Sequence, residues 1–380
     1  MLLIPCAIAA LVLPPAPPVD RVVIVSVDGL RADALEGSSL GQLPAFGRLL
    51  QGPHTLNARC DPDISVTLPN HVGMVTGRMM LGPSGHAYEL NTLPLAPAAG
   101  GLVRPSPSRY IASCFDVAHD AGLSTAAIAS KLKFTLFAQT WGDEYGAADA
   151  DPRGGDNGRN KIDTFTFAPD MPRVTDAVID ALDTLDAPDT PDTPDTRPDD
   201  ATRGLVFAHY ALPDSVGHTT GWTTEPNQPW MASVKAVDDE LGRLLTAIDT
   251  DPKLNGRTAI VLTADHGGGV PFGTHTDQDA LVNYRIPFIV WVDGTEHSCD
   301  LYATNSGVRA DPGVDRATTH ERVTAPIRNT DAGNAALQLL GLEPVPGSVY
   351  GGESLPLTVT PPATPPAVTS PAPVAPRAGS

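Results

Sequence analysis

Arg21-Val-Val-Ile-Val-Ser-Val27, halted by Asp28-Gly29, is the stretch that decides the fold. Branched apolar residues run through it without the alternation of a half-exposed strand. That pattern marks a strand covered on both faces, as in a parallel sheet. Further runs share the character: TAAIAS (125–130), GLVFAHY (204–210), RTAIVLTA (257–264) and PFIVWV (287–292). Helical patterns separate them. Val174 to Leu185 is one. Met231 to Ile248 is a second, with an apolar stripe at Val234, Val237, Leu241, Leu244, Leu245 and Ile248. Asp331 to Leu340 is a third, stopped by Gly341. Strands alternating with helices predict an α/β fold: a central, mostly parallel sheet flanked by helices, with a small inserted cap region. Ligands of such sheets bind beyond the carboxyl ends of the strands.

Outward from this core, the ends of the chain change character. Residues 1–20, MLLIPCAIAALVLPPAPPVD, carry an apolar run too short to span a bilayer comfortably, and read as a signal peptide or leader. No Lys or Arg precedes that run, and a buried first strand is the other reading. Residues 186–202 hold a Pro-Asp-Thr repeat and are expected to form an acidic surface loop. Residues 358–380 are a Pro/Ala/Thr tail. The folded domain is then 21–357, with cap or substrate loops expected within 78–165.

The net charge of −19 across 380 residues argues against a duplex nucleic-acid surface or an anionic membrane surface, either of which needs a basic patch. A small-molecule substrate is expected, with no membrane span beyond the leader. Oligomeric state is not legible. Of the four cysteines, Cys60, Cys114 and Cys299 lie beyond the leader. None shows a C-x-x-C spacing, so they read as small buried residues.

Four segments fall where predicted strands end. VDGLR places Asp28. DISVTLPNHVGMVTGR places Thr67 ahead of Pro69, Asn70 and His71. PDSVGH places Asp214 and His218. TADHGGG places Asp265 and His266, with His275 in GTHTD shortly after. Each alone has a bland reading as turn or cap. Together, carboxylates and imidazoles at one sheet edge would repel one another unless divalent cations neutralise them. The three glycines after His266 are expected to let backbone approach a ligand closely.

These segments, in this order, resemble the alkaline phosphatase superfamily, nearest its type I phosphodiesterase / nucleotide pyrophosphatase branch. The resemblance runs from about residue 22 to 352 and includes the closing PIRNTDAGNAALQLLGLEPVPGS. It implies a hydrolase of phosphate esters with two divalent ions, most simply Zn²⁺. One ion would be held by Asp28, Asp265 and His266 and contacted by Thr67, and the other by Asp214, His218 and His275. Thr67 is the implied nucleophile, with Ser65 the alternative. Asn91 is the implied donor to a phosphate oxygen, although His86-Ala87 stands where the family usually has His-Gly. His320 is the competitor of His275 as a ligand.

The other polar residues take ordinary readings. His71 orients the helix carrying Thr67. His54, His119, His209 and His297 belong to surface or packing, and Lys131, Lys133 and Lys161 to the solvated surface, with contact to a substrate phosphate as the alternative for the lysines. Trp141, Trp222 and Trp230 are read as packing. A phosphomonoesterase or phosphonate hydrolase on the same site is the rival activity, and a non-catalytic binding protein the rival of another class. TLPNH does not fit the C/S-x-P-x-R pattern of a sulfatase. Phosphoglycerate-mutase relatives, being cytosolic, sit badly with a leader. The leader implies export.

Overall fold

In the computed structural model, the described residues are 19–349, except 98–99, 107–108, 149–157, 185–202, 296 and 317–323, together with 355 and 357. Most of the leader, the Pro-Asp-Thr repeat, the tail and His320 lie outside them. Val19 and Asp20 belong to the fold: Asp20 is buried and pairs with Arg257 at 3.0 Å.

Seven strands make one sheet: β1 (Arg21–Val27), β2 (His54–Arg59), β3 (Ser124–Ala129), β4 (Thr164–Phe167), β5 (Gly204–Tyr210), β6 (Thr258–Thr263) and β7 (Arg285–Val292). Their order is β2-β7-β6-β1-β5-β3-β4. The stretch from β6 to β4 is parallel throughout, and β7 runs against both β6 and β2. Every residue of β1, β3, β5 and β6 is buried, as continuous apolar runs require.

Ten α-helices lie among the described residues: α1 (Pro44–Leu49), α2 (Thr67–Thr76), α3 (Cys114–Asp120), α4 (Thr135–Trp141), α5 (Met171–Thr184), α6 (Leu212–Thr220), α7 (Pro229–Thr250), α8 (Leu281–Tyr284), α9 (Leu301–Thr304) and α10 (Ala332–Leu339). Helices α2, α3 and α10 pack together on one layer of the sheet, and α1, α5 and α7 on the other. The anticipated stripe of α7, from Val234 to Ile248, is buried along its length. Each such side chain contributes roughly 1.5–3 kcal/mol by leaving water. Within 78–165, α3, β3 and α4 belong to the main layers, and irregular stretches lie before them, up to Ser113, and again between α4 and β4. Cys60 and Cys114 are buried thiols and Cys299 is half-buried.

Strands β6, β1, β5 and β3 are neighbours and end on the same side. Their carboxyl ends deliver, in that order, Asp265-His266, Asp28, Asp214-His218 and Lys131. Sheet order alone therefore brings together residues spread over more than half the chain.

Candidate active site

Two groups of side chains meet at this edge. Asp28, Asp265 and His266 form one, all fully buried. Asp214, His218 and His275 form the other, with His218 exposed. Within each group the potential ligand atoms lie within 4.8 Å of one another.

The carboxylates share a pattern. Asp28 Oδ2 accepts from Lys131 Nζ at 2.7 Å and from His209 Nε2 at 2.9 Å, while its Oδ1 has no hydrogen-bond partner and faces His266 Nε2 at 3.6 Å. Asp214 Oδ2 accepts from Lys131 at 2.5 Å. Its Oδ1, without a hydrogen bond of acceptable geometry, faces His218 Nε2 at 3.3 Å and His275 Nε2 at 3.8 Å. Asp265 Oδ1 accepts from the backbone N–H of Gly29 and of His266, and its Oδ2 is left orphaned beside His266 Nε2 at 3.2 Å.

The imidazoles match them. His266 Nδ1 donates to Gly267 O at 2.7 Å, His218 Nδ1 to Gly273 O at 2.9 Å and His275 Nδ1 to Ser65 O. A carbonyl only accepts, so each Nδ1 carries the proton and each Nε2 offers its lone pair when the ring is neutral. Six side chains thus have one atom tied to protein and a second turned inward. A buried unpaired carboxylate oxygen costs free energy unless a cation meets it. Oxygen and imidazole donors in threes suit divalent zinc-type ions. The residues fit the implied metals.

Protonation agrees. Burial, assisted by the nearby carboxylates of Asp28 and Asp214, holds the Asp265 carboxyl well above its usual range. Burial also raises Asp28, but Lys131 and His209 outweigh it and hold that carboxyl well below. Asp214, raised by burial and by Asp28 but lowered by His218 and Lys131, settles at about 2. Burial pushes His275 down to about 3 and lowers His266, keeping both neutral. The neighbouring Asp214 carboxylate raises His218.

Thr67 opens α2 and is buried. Pro69 fits in the first turn, where its missing N–H costs nothing. Several bonds pin this turn to the metal-type groups. His71 Nδ1 donates to Thr67 O at 2.7 Å and stands 3.7 Å from Asp265 Oδ2, while its Nε2 meets Ser26 Oγ at 2.7 Å. These bonds suit His71 to orienting the turn, as its place beside Thr67 in the sequence suggests. Asn329 donates to both Asn70 Oδ1 and Asp265 O. Ser65 Oγ is spent on the carbonyl of His275, which weakens Ser65 as the alternative nucleophile. Asn91 Oδ1 accepts from Leu68 N at 3.1 Å and Lys133 Nζ at 2.8 Å, which turns the Nδ2 donors of Asn91 outward from that pair.

Several sequence readings are corrected. Lys131 is not a solvated lysine, because its ammonium bridges one carboxylate of each group. Lys161 is buried and pairs with Asp120 at 2.6 Å. His209 is fully buried and bound to Asp28. The glycines after His266 do not make room for a ligand. A Cβ on Gly267 would meet Val282 O at 1.9 Å, and one on Gly268 would meet the Trp222 ring at 2.4 Å. Trp222 is indeed packing: its Nε1 donates to Gly29 O at 2.9 Å, behind the His218 group. Gly29 itself has φ +71° with Asp214 Cα 3.1 Å from where a Cβ would stand, so the turn after β1 requires glycine.

A mostly parallel sheet between helices is a fold this chain shares with solved structures of the alkaline phosphatase superfamily. The structure of a protein of that superfamily from Vibrio parahaemolyticus superposes with a TM-score of 0.51 at 13% identity, covering 86% of this chain and 67% of that one. Murine ectonucleotide pyrophosphatase / phosphodiesterase 5 gives 0.52 at 14% identity, covering 88% and 99%. The family model of type I phosphodiesterase / nucleotide pyrophosphatase matches residues 119–277. That span contains Asp214, His218, Asp265, His266 and His275, and leaves out Asp28 and Thr67. Among curated proteins, a 2,3-bisphosphoglycerate-independent phosphoglycerate mutase of Halobacterium salinarum is 34% identical over 132 residues, 34% of this chain. The match spans only 21% of that relative's length.

Proposed function

We propose that the protein is a metal-dependent hydrolase of phosphate esters, acting on phosphodiester or pyrophosphate bonds through a phospho-threonine at Thr67. What supports it most is the shared pattern of the six side chains: each is hydrogen-bonded to protein through one atom, and Asp28 Oδ1, Asp214 Oδ1, Asp265 Oδ2 and His266 Nε2 are buried without a hydrogen bond beside the other ligands of their groups. Asp28, Asp265 and His266 would hold one ion, most simply Zn²⁺, and Asp214, His218 and His275 the second. When bound, such a pair neutralises charge on the phosphoryl group and lowers the pKa of a coordinated hydroxyl.

The chain's own residues do the rest. Thr67 Oγ1 attacks phosphorus as the P–O bond to the leaving group breaks, and the proton that Thr67 gives up ends on the leaving oxygen. The dipole of α2, which begins at Thr67, favours the charge on the phosphoryl oxygens, although the Leu68 N–H is already given to Asn91 and the Asn70 N–H to Val66 O. Asn91, its carbonyl oxygen held by Leu68 N and Lys133, directs an N–H donor to a non-bridging oxygen. Water entering past the exposed His218 then attacks phosphorus and breaks the bond to Thr67 Oγ1, and one of its protons restores the hydroxyl.

Metal-loaded protein should turn over bis-p-nitrophenyl phosphate and a thymidine 5′-ester faster than p-nitrophenyl phosphate. Thr67→Ala and chelation should each abolish that turnover. Faster monoester turnover would instead favour phosphomonoester chemistry on the same site, the reading that the phosphoglycerate-mutase similarity supports. No turnover of any of the three with metal bound would favour a binding protein. Export is proposed from the composition of residues 1–20 alone, and amino-terminal sequencing of protein recovered outside producing cells tests it. No helix among the described residues is long and apolar enough to cross a membrane.

A further inference from the structure

Among the described residues, Lys131 alone hydrogen-bonds a carboxylate of each group. It lies just beyond β3, yet its ammonium reaches past β5 to Asp28 at the end of β1, at 2.7 Å, and also holds Asp214 at 2.5 Å. It takes the Oδ2 atom of each. The Oδ1 atoms, which face the histidines of their own groups, are left without hydrogen bonds. An ammonium standing in for a metal would sit among the ligand nitrogens and take the oxygens aimed at them. This one takes the opposite oxygens. His209 shares the task at Asp28 only, with Nε2 2.9 Å from Oδ2.

We propose that Lys131 is a positioning residue that clamps both ligand carboxylates at once, presenting one oxygen of each to its own metal and so coupling the two sites. The inference rests on the two-metal reading above. Two effects oppose each other when the ammonium is removed. Losing a positive charge near the ions strengthens their attraction to the carboxylates. Losing the clamp frees both carboxylates to rotate and to make other bonds. Removing an outer partner of a metal ligand commonly lowers metal affinity by about 10–100-fold, and orientation is the effect that governs here.

The test is zinc titration of chelator-stripped full-length protein, by calorimetry and by competition with a chromophoric chelator. Wild type, Lys131→Met, Lys131→Arg and His209→Gln are compared, with circular dichroism as the check on folding. The clamp predicts that Lys131→Met weakens both sites by about 10–100-fold. Lys131→Arg, with donors enough for two carboxylates, retains most of the affinity. His209→Gln weakens one site and spares the other. Unchanged or tighter zinc binding in Lys131→Met, or weakening at one site alone, overturns the proposal. If Lys131→Met does not fold, Lys131→Gln decides, with weakening at both sites expected and unchanged affinity contradicting. Wild-type protein that binds no pair of ions would instead remove the two-metal reading itself.

Discussion

The two ligand groups draw on the same two residue types, two Asp and one His in one and one Asp and two His in the other, but have opposite access. Asp28, Asp265 and His266 are sealed beneath the turns after β1 and β6, whereas Asp214, His218 and His275 keep one edge in solvent through His218. Burial makes the first group depend on neighbours: Lys131, His209 and the N–H of Gly29 all serve it. The second group leans on backbone carbonyls of Gly273 and Ser65, in segments that loop over the sheet edge. One site is thus built into the core and the other assembled on it. An ion in the first would be part of the structure, and an ion in the second would exchange with its surroundings.

Substitution should separate them. The largest effect is expected at neither group but at the proposed nucleophile: Thr67→Ala should cost at least about 10³-fold in kcat on bis-p-nitrophenyl phosphate while zinc stoichiometry is retained. Next, Asp28→Asn should destabilise the chelated protein by about 3 kcal/mol in urea unfolding, because it breaks a buried charge network. It should also remove one zinc. His218→Ala should remove the other zinc yet leave chelated stability within about 0.5 kcal/mol of wild type, as befits a partly exposed side chain. Equal destabilisation by both would erase the contrast between the sites. The smallest effect is kinetic: in dialysis against chelator, zinc should leave in two phases, with His218→Ala lacking the fast one.

Much of this arrangement is legible in the sequence because its signals are local. An apolar strand that stops at Asp28, or at Asp265-His266, announces a sheet edge. The stripe from Val234 to Ile248 announces a helix. Strands β2 and β4 carry no such signal. HTLNAR and TFTF are short, lie at the edges of the sheet and are only partly buried, so neither needs an apolar run. Lys131 and His209 escape a sequence reading for a different reason. Their partner, Asp28, lies on a strand reached only through the sheet order β1-β5-β3, and nothing near either residue in sequence reports that order. The glycines after His266 signal close approach but not by what: Trp222 and the Val282 carbonyl occupy the space where a ligand is expected. Asn329, which ties Asn70 to Asp265, lies in a closing segment whose resemblance to the superfamily assigns that side chain no role.

Anomalous diffraction from crystals grown with zinc tests the central claim most directly. The account predicts two peaks about 3.5–4 Å apart. One should lie about 2.0–2.2 Å from atoms of Asp28, Asp265 and His266, and the other as close to Asp214, His218 and His275. A single peak, or zinc bound elsewhere while these six side chains stay bonded only to protein, would contradict it.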